Sequence, residues 1–253
     1  MCIRDSHIIH VLLIRYDFGE NKGPIMQISD QIIYKNNQLL AFNKLGGIPV
    51  QPDKTGDTSL TDLASIYSKV PVFATHRIDR PASGIVLFAR NKRSLALLNE
   101  QFKKRTIDKT YLAVVKKLPA ESFGELVHHI YVQGNNKTVA LKTGDKKTKE
   151  ARMNYKLIAS SDNYHLLEIK LLTGRQHQIR AQLAAIGSPI KGDVKYGARR
   201  GNKDRSIQLH SWKMAFDHPI TGERVSLQAP IPEGGVWEAF KEQVNNGLEK
   251  NYP

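Results

Sequence analysis

Asp79 stands between two arginines in His76-Arg77-Ile78-Asp79-Arg80-Pro81-Ala82-Ser83-Gly84. A carboxylate flanked by cations is favoured in its ionised form, and an ionised carboxylate can act as nucleophile or base. The plainer use of such a trio is a structural ion pair. A second segment, Lys109-Thr110-Tyr111-Leu112-Ala113-Val114-Val115, carries a phenol on an apolar stretch, where core packing is the simplest use of a tyrosine. The third, Thr173-Gly174-Arg175-Gln176-His177-Gln178-Ile179-Arg180, opens a helix. Gln176 and Arg180 fall at i and i+4, and His177 and Arg180 at i and i+3, so they can share a polar face. Ile179 and Leu183 point elsewhere. Gly187-Ser188-Pro189-Ile190-Lys191-Gly192-Asp193 and Tyr196-Gly197 follow.

Other chemistries find fewer of their residues. Ser83 lacks the glycine two positions before the serine of a nucleophile elbow. No glycine-rich loop ends in Lys-Ser or Lys-Thr, so a nucleoside triphosphatase is not expected. His128 and His129 are adjacent and project differently, and no His-Glu-x-x-His occurs. No metal site is expected, which also weakens a hydrolytic nuclease.

The elements that must position these segments follow from periodicity. Ile32 to Lys35 and Leu39 to Phe42, separated by Asn36-Asn37, read as a hairpin, and Lys44-Leu45-Gly46-Gly47 as a turn. Gly84 to Ala89 is continuously apolar, the mark of a strand buried on both faces. Asn91 or Ser94 can cap a helix carrying Leu95, Leu98 and Phe102. Thr110 to Val115 and Leu167 to Leu171 are strands. A helix starts near Gln176, buries Ile179, Leu183 and Ile186, and ends at Gly187. The segment Lys137 to Arg152 holds Lys137, Lys142, Lys146, Lys147 and Lys149. It reads as a phosphate-contacting hairpin or, more simply, a solvated loop. The fold expected is α/β of the α+β kind: one mixed, largely antiparallel sheet domain over 28–253 with flanking helices. Residues 1–27 show no assignable periodicity, with a loop expected at Asn21-Lys22-Gly23-Pro24. They read as an extension or as extraneous sequence from a misplaced start.

The chain has 253 residues, and its 38 Lys and Arg exceed 24 Asp and Glu to give a net charge of +14. Such an excess favours a polyanionic partner, nucleic acid first. No apolar run approaches the ~20 residues of a membrane span, so no membrane partner is expected. The single cysteine, Cys2, fits a reducing cytoplasm. Ile8 to Ile14, interrupted by His10, lacks a following cleavage site and does not read as a secretory signal.

Taken together, in order and spacing, the three segments resemble the RluA-type pseudouridine synthases. That family has a His-Arg-Leu-Asp motif followed by Ser-Gly, a Lys-x-Tyr strand, and a Thr-Gly-Arg-x-His-Gln helix with a Gly-x-Pro-Ile-x-Gly-Asp tail. Leu209-His210 and His218-Pro219 resemble a later segment, so the resemblance runs from about Ile32 to Pro230. Ile78 replaces the usual Leu, Ala82 the usual Thr, and the turn after Lys44 lacks a common proline. The resemblance implies a pseudouridine synthase fold and isomerisation of uridines in ribosomal or transfer RNA. It implies Asp79 as the nucleophile, attacking sugar or base, Tyr111 stacked on the target base and available to help move a proton, and Arg180 paired with Asp79. Arg77 is expected to fill the gap left by the flipped uridine. His76, Arg175 and Lys109 join the substrate-contacting set. The reaction rearranges bonds without redox, so no cofactor is expected, and the working unit is expected to be a monomer. A binding or remodelling factor without catalysis is the alternative from another class; it would have no use for Asp79.

Overall fold

Ser83–Ala89 is buried along its whole length, and that determines what surrounds it. A strand buried on both faces needs a layer above and below. The computed structural model describes residues 13–17 and 22–246. In chain order its strands and helices are β1 (Leu13–Asp17), β2 (Lys22–Gln27), β3 (Ile32–Lys35), β4 (Leu39–Lys44), α1 (Leu60–Ser68), β5 (Phe73–Ala74), β6 (Ser83–Ala89) and α2 (Lys92–Lys104). They continue with β7 (Asp108–Val115), β8 (Phe123–Gln133), β9 (Lys137–Leu141), β10 (Lys149–Ser160), β11 (His165–Leu171), α3 (Gln178–Ala185), β12 (Leu209–Asp217), β13 (Arg224–Gln228) and α4 (Lys241–Asn246).

One sheet runs β3-β4-β6-β12-β7-β11-β10-β8-β9, with β13 added to β12 and β5 to β6. Only the β6–β12 pair is parallel; the rest is antiparallel, as the sequence predicts. On one face Leu60, Leu63 and Ala64 of α1 and Ile179 and Leu183 of α3 join Phe42, Val86, Phe88, Ala113 and Ile169 in a core. On the other, Leu98 of α2 packs with Leu39, Ile85, Leu87 and Phe216. Further along that face Trp237, Phe240 and Val244 cover Leu112, Val114 and Trp212.

The register of β12 matters most for function. Ser211 stands opposite Gly84 on β6 and opposite Tyr111 on β7. It therefore brings the entrance of β6, with the Asp79 loop, alongside Tyr111. The approach of β6 and β12 is close enough that a Cβ on Gly84 would lie 2.3 Å from the Ser211 carbonyl oxygen, and Gly84 has φ +107°. Only glycine fits both conditions.

Three readings are corrected. Lys22, Gly23 and Pro24 lie in β2, not in a loop, and β2 pairs with β1 in a separate two-stranded sheet; Asn21 is outside the described residues. A proline is tolerated on such a ribbon because both strands are edges. The Lys137 to Arg152 segment is not a hairpin: β9 and β10 pair with opposite sides of β8. The third helix begins at Gln178, two residues after the predicted start.

Candidate active site

The chain entering β6 is held from several directions. Ala82 N–H donates to the Asp79 carbonyl at 3.0 Å, Gly47 N–H to Arg80 at 2.8 Å and Ile207 N–H to Pro81 at 3.0 Å. Lys44, at the end of β4, is fully buried beneath this loop. Its Nζ donates to the carbonyls of Leu45 (2.9 Å), Ile48 (2.9 Å), Arg80 (3.0 Å) and Ala82 (2.6 Å). Those carbonyl dipoles replace the water that the ammonium has lost. Burial pulls its pKa down to about 7, and the charge of Asp79 acts against that.

Neither arginine beside Asp79 in sequence is its partner. Arg80 turns outward, with Nε on Gly47 O at 2.8 Å and the guanidinium paired with Asp53 and Asp57. Arg77 is exposed at the pocket. The partner is Arg180, whose Nη1 donates to Asp79 Oδ2 at 3.0 Å. Its Nε and Nη2 meet Asp193 Oδ2 and Oδ1 at 2.7 and 2.8 Å, a fork-on-carboxylate geometry. Burial disfavours the charge on Arg180, but the bond to Asp193 and the charges of both carboxylates outweigh it and hold its pKa above the usual value. The face of Tyr196 lies 4.8 Å from the guanidinium carbon.

The helix start explains how His177 reaches the same place. His177 adopts φ 50°, ahead of the first helical residue. The Gln178 side chain braces the turn: its Oε1 accepts from Thr173 Oγ1 (2.8 Å) and Arg175 N–H (3.0 Å), and its Nε2 donates to Arg152 O (3.0 Å). Gln176 thus falls outside the helix and does not share a helical face with Arg180. His177 does reach the pocket, with Nε2 3.7 Å from Asp79 Oδ1. The polar side of α3 is also not a solvent face: Gln178, Arg180 and Gln182 are all buried.

Tyr111 is buried, and its phenol pKa is pushed up to about 12, mainly by burial, with Asp79 adding to the rise. The phenol keeps its proton at any working pH, which suits a stacking surface better than a base. The pocket is lined by Arg77, Asp79, Tyr111, Arg175, His177 and Arg180, with apolar walls from Ile78, Ala82, Leu171, Ile179 and Leu209. A cleft of this kind can take a flat heterocycle against Tyr111 and present one carboxylate to it.

The structure thus brings together Asp79, Tyr111, Arg180, Arg77 and Arg175. It does not bring His76 or Lys109 to the pocket wall. His76 Nε2 accepts Leu87 N–H at 3.1 Å and its ring packs on Phe102. Burial, with Lys109 adding to it, lowers its pKa to about 3. Lys109 Nζ lies 5.9 Å from the Phe102 ring, and a Cβ on Gly174 would come within 3.4 Å of it. Ser83 Oγ bonds His210 Nδ1 at 2.9 Å with both residues buried, a structural pair. Among the described residues no three His, Cys, Asp or Glu gather as a metal-binding group, and no helix is long and apolar enough to cross a membrane.

Sequence reasoning gave no role to Lys44, Asp193 or Tyr196. A lysine closing the apolar run Leu39 to Phe42 was the available signal for Lys44. Asp193, one residue after Gly192 and near the apolar Ile190, offered a second carboxylate for the arginine.

The family model described as RNA pseudouridylate synthase matches residues 38–185. The chain is 32% identical over 210 residues to the uncharacterized RNA pseudouridine synthase YhcT of Bacillus subtilis (strain 168), covering 79% of this chain and 68% of that protein. It is 31% identical over 212 residues to ribosomal large subunit pseudouridine synthase C of Rickettsia felis, covering 81% and 68%. It is 30% identical over 228 residues to tRNA pseudouridine synthase C of Haemophilus ducreyi, covering 80% and 91%. In fold it is similar to human RNA pseudouridylate synthase domain containing 4, with a TM-score of 0.68, 23% identity, and 89% and 95% of the two chains covered. The chain belongs to the RNA pseudouridine synthase family, isomerases that act on RNA.

Proposed function

We propose that this chain converts specific uridines of ribosomal or transfer RNA to pseudouridine, with Asp79 as the nucleophile and the target nucleotide turned out of its stack. One observation carries the reading: Asp79 sits at a pocket next to a phenol, with its charge matched by the buried Arg180. The named relatives that act on ribosomal and transfer RNA support the two substrate classes.

In the reaction Asp79 forms a transient bond to the sugar or the base, the bond from N1 to the ribose breaks, the base turns, and C5 joins the ribose as the bond to Asp79 is released. A proton leaves C5 and one is gained at N1. Arg180 holds the Asp79 carboxylate in place by one oxygen, and the pairing with Asp193 fixes Arg180 in turn. Tyr111 receives the face of the extruded base. Extrusion costs a few kcal/mol, which phosphate contacts can offset. Arg77 and Arg175 at the pocket are the nearest cations for that purpose, and Arg77 fills the vacated place in the stack. No cofactor or metal is part of this scheme. The enzyme works as a monomer in the cytoplasm.

Mapping pseudouridine across cellular RNA with and without the gene tests the reading. Loss of pseudouridine at one or a few sites in ribosomal or transfer RNA is the expected outcome. An unchanged map, with a growth defect that only RNA refolding corrects, would point to a remodelling factor instead.

A further inference from the structure

Tyr196 ends the short turn Val194–Tyr196, and its hydroxyl has two partners. Its oxygen accepts the Thr138 N–H of β9 at 2.8 Å and lies 2.8 Å from His177 Nδ1. The Thr138 N–H takes one lone pair of the phenol oxygen, which leaves the phenol its own hydrogen to donate, and Nδ1 lies within its reach. Nδ1 is then an acceptor, so a neutral imidazole carries its proton on Nε2. Nε2 is the atom that faces Asp79 Oδ1, the oxygen to which Arg180 does not donate.

We propose that Tyr196 is a positioning residue for Asp79: its hydroxyl fixes His177 as the Nε2–H tautomer, so that a second donor faces the carboxylate. This rests on the reading of Asp79 as the reacting carboxylate. The opposite tautomer would turn a lone pair toward an anion. At 3.7 Å the His177–Asp79 contact is longer than a hydrogen bond, and it would take a shift of about 0.7 Å to make it one. The surroundings support a neutral ring. Burial and the cations Arg180 and Lys195 hold the His177 pKa down, against Asp79 and Asp193. The clamp is anchored from β9, because Thr138 Oγ1 also donates to Gln176 O at 2.9 Å and so holds the residue before His177.

Two readouts on the full chain test this. Long-range ¹H–¹⁵N correlation on ¹⁵N-histidine protein reports which ring nitrogen of His177 is protonated. The expected result is Nε2–H in the native protein and a tautomer mixture in Tyr196→Phe, which keeps the ring under Arg180. Tyr196→Phe should lower kcat about ten-fold while leaving KM for RNA within about two-fold, the scale of one lost positioning bond. His177→Gln provides the second variant. Adding Tyr196→Phe to it should cost nothing further in kcat, since both act through one path. An Nδ1–H tautomer in the native protein, a Tyr196→Phe enzyme with native kcat, or additive losses would overturn the proposal. Asp79→Asn is measured in parallel. If it is dead while Tyr196→Phe is fully active, only the role of Tyr196 fails. If Asp79→Asn stays active, the reading of Asp79 fails whichever tautomer is found.

Discussion

Arg180 and Asp79 lie 101 residues apart in sequence and 3.0 Å apart in space. Arg180 is 5% exposed and Asp79 22%, so the pair is sealed on the arginine side and open on the carboxylate side. That asymmetry suits a carboxylate that must meet a substrate while its counter-ion stays fixed. Asp193, at 1% exposure, holds the rest of the guanidinium.

Asp193→Ala should therefore be among the most destabilising single changes near the site. It leaves a buried guanidinium short of its bidentate partner. Breaking a buried pair from one side costs about 3–5 kcal/mol. Denaturant midpoints check this. Asp193→Asn, which keeps shape and one acceptor, should lose less.

Gly84→Ala tests the close approach of β6 and β12. The new Cβ meets the Ser211 backbone, and φ +107° is unfavourable for alanine. A loss of roughly 2–4 kcal/mol is expected from strain and overpacking together. Gly222→Ala is the control, since φ is +75° there but no atom lies within 4 Å of the new methyl. It should cost about 1–2 kcal/mol, the backbone strain alone. Equal losses in the two variants would mean that the strand contact is less rigid than described.

Acid should destabilise the protein well before its carboxylates titrate. The buried rings of His210 and His76 have pKa values lowered to about 4 and about 3, chiefly by burial. The unfolded chain takes up these protons first, near pH 6.5. The stability is full above pH 6.5 and is lost as pH falls toward 4 and 3. Each group contributes about 1.4 kcal/mol per pH unit within its window, as an upper figure. Unfolding free energy should fall between pH 7 and 5, with a slope that steepens toward about two protons from these two rings below pH 6. His177 and His128, whose pKa values burial also lowers, add to it. His76→Gln, which retains an acceptor for Leu87 N–H, should remove about one of these protons. A flat profile would show that these rings are not held neutral.

Removing residues 1–27 should leave melting temperature and turnover nearly unchanged. The strands β1 and β2 pair with each other and not with the main sheet. The cut must stop there, because Ile28 belongs to the core. Aggregation or inactivity of the trimmed chain would show a contribution that the sheet topology does not reveal.

Much of the frame was legible in the sequence because burial leaves a pattern. The apolar run of β6, the Asn36-Asn37 hairpin and the Asn91 cap, whose Oδ1 accepts Ser94 N–H at 2.8 Å, are local signals. Helix α1 was not anticipated, although Ser59 and Asp62 form a capping box that a Ser-x-x-Asp spacing announces. The placement of β9 beyond β8 was not legible, because the pairing of edge strands depends on partners far away in sequence. For the site, local spacing suggested Arg77 and Arg80 as the companions of Asp79. The motif resemblance suggested Arg180, and the geometry agrees with the latter. Spacing could not show that Arg180 would be shared with Asp193, or that Tyr196 would hold His177, since these depend on where loops return to the sheet.

Asp79→Asn gives the most direct measurement. The substitution keeps the shape, removes the charge and leaves every Lys and Arg in place for phosphate contact. Pseudouridine formation on the mapped RNA is measured under single turnover, together with RNA affinity and the denaturant midpoint. The account predicts a folded protein with RNA affinity near native and no detectable pseudouridine. A folded Asp79→Asn protein that forms pseudouridine at the native rate would contradict it.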